Sequence, residues 1–170
     1  MNKRLIGKLL LAAFLLTFLY AFHYGAQQDL KKEIGRGYHI NVVNIATALH
    51  GLDYEALSEL STEPQTFGSV SNLGTILRYS EMQLYSSESE VSSLLPTIIM
   101  LLMDYENDGV LSPEDQEKLN TSIRKITIII NSLEQILGSD LDWYEAFTDP
   151  SEKLQQRLEE QLEEEGYEQN

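Results

Sequence analysis

Apolar residues recur at intervals of three and four along most of this 170-residue chain, which is the signature of helices with one buried face. From Val42 the stripe runs through Ile45, Ala46, Leu49, Leu52, Ala56, Leu57 and Leu60, with Gly51 and Asp53 offering a break and a new N-cap in its middle. This predicts one kinked helix or two shorter ones. A loop is expected over Ser61 to Ser71, after which Asn72 can cap a helix carrying Leu73, Ile76, Leu77 and Leu84. The serine-rich stretch Ser86 to Ser93 interrupts the pattern. Leu94 to Met103 then has no charge at all and predicts a buried helix, with Pro96 tolerated in its first turn. The longest stripe, Leu119, Ile123, Ile126, Ile130, Leu133 and Leu137, predicts a helix over 113–137. The β-branched run at 126–130 does not turn it into a strand, because the helical period continues on both sides. Gly138 is expected to stop that helix, and Asp140 or Asp142 to start a short one. Asp149 to Glu152 reads as a capping box for a last helix, in which Leu154, Leu158 and Leu162 form a narrow stripe among glutamates.

The first 26 residues carry a different pattern. Lys3, Arg4 and Lys8 precede an uncharged run from Leu9 to Phe22, with Tyr20, Phe22 and Tyr24 gathered at its far end. This is an export signal, and cuts after Ala21, Gly25 or Ala26 would leave Leu19, His23 or Tyr24 where a signal peptidase needs a small residue. An uncleaved anchor is therefore expected, with a secreted domain as the alternative. With Lys8 snorkelling to the inner surface, Leu5 to Tyr24 gives about 20 residues, or roughly 30 Å of helix. The positive-inside rule keeps the amino terminus cytoplasmic and sends the remainder out. The expected fold class is all-α: a single-pass anchor over 1–26, a juxtamembrane linker over 27–37 broken at Gly35 and Gly37, an extracytoplasmic bundle of about four to five helices over 38–148, and an acidic helical tail over 149–170.

Charge narrows the partners. All 27 acidic residues follow position 28, while three of the twelve basic ones lie in the anchor, so the exported part sets nine basic against 27 acidic residues, a formal charge of −18. Such a field repels DNA, RNA and anionic lipid, and its complement is a cation or a basic protein partner. With no cysteine, the fold rests on packing alone.

One stretch carries candidate chemistry. DYENDGVLSPED, Asp104 to Asp115, lies between the uncharged helix and the long isoleucine-rich one. It has oxygen donors at its first, third and fifth places, glycine at the sixth, and an acid at the twelfth, and so resembles an EF-hand calcium loop. The resemblance covers about 30 residues with the flanking helices. It implies Asp104, Glu106, Asp108, the Val110 carbonyl, Ser112 and Asp115 as ligands to Ca2+, with Mg2+ as the alternative. Glu106 is a methylene longer than usual at the third place. Asp115 is a methylene shorter than the usual glutamate, as in the dockerin-type variant, and Gln116 follows where an apolar residue is normal. The plain structural explanation is an Asp-Gly turn followed by Ser112-Pro113-Glu114-Asp115 as a helix start. That leaves Asp104, Glu106 and Asp108 unexplained, since carboxylates about 6 Å apart repel by roughly 0.7 kcal/mol per pair in water.

Nothing comparable points to catalysis. His39 and His50 are eleven residues apart, about 16 Å along a helix and too far to share a metal. His50 with Asp53, and Glu55 with Glu59, read as surface polar pairs, and no nucleophile or phosphate-loop motif is present. The expectation is a membrane-tethered interaction module stabilised by calcium, not an enzyme. The alternatives are a metal-free accessory subunit of a cell-envelope complex and an exported hydrolase.

Overall fold

A computed structural model describes residues 3–60, 67–84 and 90–167, with side chains on the first helix described from Ala13 onward. Every regular element is helical, and among the described residues there is no strand. In chain order the helices are α1 (Lys3–Leu49), α2 (Tyr54–Leu60), α3 (Phe67–Leu84), α4 (Glu90–Asp108), α5 (Pro113–Ile136), α6 (Asp140–Thr148) and α7 (Glu152–Glu164). Within 38–148 the end of α1 and helices α2 to α6 make six described helical pieces where four or five are expected, and α7 is the expected tail helix.

The core is mostly where the periodicity puts it, but Ile76 of α3 and Met100 and Met103 of α4 are exposed, so α3 buries a narrower face than its stripe suggests and α4 is buried on one side and not all round. Val42, Ile45 and Leu49 of α1, Leu77 and Leu84 of α3, Leu95, Ile98 and Leu102 of α4, and Leu119, Ile126 and Ile130 of α5 are buried in one cluster. Leu137 is only partly buried, because α5 ends at Ile136 with Leu137 as its C-cap. The principal helix contacts are α1 with α6, α3 with α4, α1 with α3 and α4 with α5. The break at Gly51 and Asp53 also holds. Gly51 takes a left-handed φ of +69°, a conformation that costs a glycine least, and the Asp53 carboxylate accepts a 2.7 Å bond from the Ala56 N–H to open α2.

Four local readings are corrected. The 27–37 segment is not a broken linker: α1 runs through it as one helix of 47 residues, about 70 Å long. Gly35 does not end the helix there, because it is buried where the start of α6 crosses α1. A Cβ in its place would run into the Asp140 carbonyl and lie 2.9 Å from the Tyr144 backbone nitrogen. Pro96 falls inside α4 and not in its first turn, since α4 begins six residues earlier at Glu90. The last helix is capped by Ser151 and not by Asp149: the Ser151 hydroxyl accepts from the Leu154 N–H at 3.2 Å, while Asp149 serves as the C-cap of α6. The expected loop over Ser61 to Ser71 lies outside the described residues as far as 66, and α3 already starts at Phe67, which puts Asn72 inside the helix. Of the serine-rich break, residues 86–89 also lie outside them.

Among the described residues no helix is long and apolar enough to cross a membrane. The part of the expected anchor before Ala13, with Lys3, Arg4 and Lys8, lies outside the described side chains. From Phe14 to Tyr24 the large apolar residues are at least half exposed, and no element of the bundle covers them.

Candidate functional site

The acidic segment Asp104 to Asp115 lies where α4 passes into α5. Its first five residues are helical, because α4 does not end until Asp108. Gly109 then takes a φ of +71°, and its N–H donates to the Tyr105 carbonyl at 2.8 Å, a left-handed helix stop for which glycine is suited. On a helix, Asp104 and Asp108 share a face one turn apart, whereas Glu106 projects about 200° away from Asp104. Glu106 instead lines a cavity of about 60 Å3 between α3 and α4, together with Arg78, Thr75 and Met103.

At the other end of the segment the helix start takes up the donors. The Ser112 hydroxyl accepts from the Asp115 N–H at 3.2 Å and donates to an Asp115 carboxylate oxygen at 2.6 Å. This reciprocal cap, with Pro113 at the first helical position, uses the two residues that would ligate at the ninth and twelfth places. Val110 is exposed, while Leu111 beside it is buried in the core. The six residues are thus not brought into one coordination sphere: Asp104 and Asp108 are neighbours, Ser112 and Asp115 bond to each other, and Glu106 faces α3. Among the described residues no group of three or more acidic or histidine side chains is placed to hold a metal ion.

Tyr105 is the residue that holds this arrangement. Its ring is 3% exposed and meets Tyr54 edge-on at 6.0 Å, and its hydroxyl donates to the Leu57 carbonyl at 3.1 Å. A twelve-residue loop wrapped around an ion would need residues 105–108 unwound, and so Tyr105 withdrawn from the core. Counting acids at alternate positions does not reveal this, whereas a tyrosine in phase with the apolar face of the preceding turns carries the signal: Ile98, Leu101, Leu102 and Tyr105 fall at helical spacing and are all buried.

The histidines are placed apart. His39 stacks on Trp143 at 4.5 Å and donates from Nε2 to the Glu134 carboxylate at 3.1 Å, joining α1 to α5 and α6. Trp143 also stacks with Phe147, which stacks with Tyr38, so an aromatic layer fills the α1–α6 crossing. His50 lines a groove of about 1000 Å3 between the end of α1 and α5, as do Asp53, Asn120, Arg124 and Tyr167. It is broad and mixed in polarity, and the Asp53 carboxylate is engaged in capping α2. Glu55 lies exposed in the first turn of α2.

The acidic tail is the feature whose placement the sequence left most open. Leu154, Leu158 and Leu162 are 8–9% exposed and pack on α5 of the same chain. Gly166, with φ +85°, ends the helix, and the Tyr167 N–H donates to the Leu162 carbonyl at 2.9 Å. The Tyr167 ring then lies beneath the Lys125 ammonium at 5.2 Å. The Leu-x-x-x-Leu-x-x-x-Leu spacing foretells one buried face, and nothing in it says which surface receives that face.

Comparison of the chain with protein-family models, with curated proteins and with solved structures finds no match to any of the three.

Proposed function

We propose that this chain is a membrane-tethered helical interaction module, held by the apolar start of α1 with its amino terminus in the cytoplasm and its bundle on the other side. One observation carries the reading. A single helix leads from an uncovered apolar stretch, Phe14 to Tyr24, to positions buried in the bundle core at Val42, Ile45 and Leu49. An apolar surface that the protein itself does not cover calls for another apolar phase, and the basic residues before it with the aromatic residues at its end fit a bilayer crossed in that direction. The charge of −18 on the rest directs the module toward a basic protein partner and away from nucleic acid.

Membrane fractions of cells making the full chain provide the test. After carbonate washing, the protein is expected in the pellet at its full mass, with the bundle open to protease added from outside. Recovery in the wash, or a mature form starting near Ala26 in the medium, would refute the tether.

The metal-free alternative, an accessory subunit of a cell-envelope assembly, draws support from the helical form of residues 104–108 and from the Ser112–Asp115 cap. Calcium, or magnesium, would reach a six-ligand arrangement only by opening the last turn of α4. We therefore expect millimolar calcium to raise the unfolding temperature no more than sodium at matched ionic strength. A specific rise that is lost in the D104N/D108N variant would establish instead that the turn opens to take the ion.

A further inference from the structure

We draw no further inference here: the strongest candidate, the stripe of small residues Ala13, Thr17, Ala21 and Gly25 at every fourth position along the uncovered start of α1, carries none, because no second observation in the structure shows what packs against it.

Discussion

Gly35 and Gly37 stand two residues apart on the same helix, yet their surroundings demand opposite responses to alanine. At Gly37 nothing lies within 4 Å of an added Cβ, so Gly37→Ala gains helix propensity alone and is expected to stabilise by about 0.5–1 kcal/mol. At Gly35 the same methyl meets the backbone of Asp140 and Tyr144, which cannot rotate away as a side chain can. Gly35→Ala is expected to lose about 1–3 kcal/mol by forcing α1 and α6 apart. Urea unfolding of the two variants checks the contrast, and two shifts of the same sign would contradict the close crossing. A third residue offers a simpler case. The Ser80 hydroxyl is fully buried and finds no hydrogen-bond partner among the described residues, so Ser80→Ala removes a desolvated polar group and is expected to stabilise by about 1 kcal/mol. A raised midpoint with an unchanged denaturant slope is the expected result, and a fall would mean that the hydroxyl has a partner after all.

At the scale of elements, α5 was the most legible part of the chain, since five of the six positions in its isoleucine-rich stripe are buried and its Ser112 start and its end near Gly138 fall where the punctuation suggests. Its strand-like composition over 126–130 yields to the helical period because a helix buries Ile126, Ile129 and Ile130 on one side, whereas a strand would send neighbours to opposite faces. The candidate metal segment was legible as residues and not as geometry. Whether Asp104, Glu106 and Asp108 lie on a loop or on a helix is decided by the burial of Tyr105, a long-range fact involving Tyr54 and Leu57, some fifty residues earlier. The same limit explains Gly35, whose reading as a helix breaker follows from backbone entropy, whereas its place inside α1 follows from packing against α6, more than a hundred residues away. Tyr105→Phe tests the lock. Losing the bond to the Leu57 carbonyl is expected to cost about 1–2 kcal/mol, because that acceptor is left buried. A change near zero would leave the helical form of 104–108 without its main support.

At the scale of the whole molecule, the distribution of contacts divides α1 into two parts with different neighbours. From Ala13 to about Leu30 its side chains are almost all exposed, and from Lys31, whose ammonium lies 5.3 Å from the Tyr144 ring, it is engaged with α6 and then with α3 and α5. The Arg36–Asp140 pair at 3.3 Å and the His39–Glu134 bond lie along the same crossing. Both are exposed, so they orient the crossing more than they stabilise it, and the aromatic layer of Tyr38, Trp143 and Phe147 supplies the burial.

The uninterrupted course of α1 also sets an angular phase. A helix turns 100° per residue, so the direction in which the bundle presents any given face is tied to the rotation of the apolar stretch some 11 residues, or about 16 Å, before Gly35. One alanine inserted between Ala26 and Gln27 would swing every face of the bundle by about 100° around the helix axis while changing its height by only about 1.5 Å. Four inserted alanines would nearly restore the direction, at 40°, and raise the bundle by about 6 Å. Under the proposed tether, a partner gripping a particular face would therefore tolerate four residues and reject one or two, whereas a partner reached through a flexible link would accept all three insertions alike.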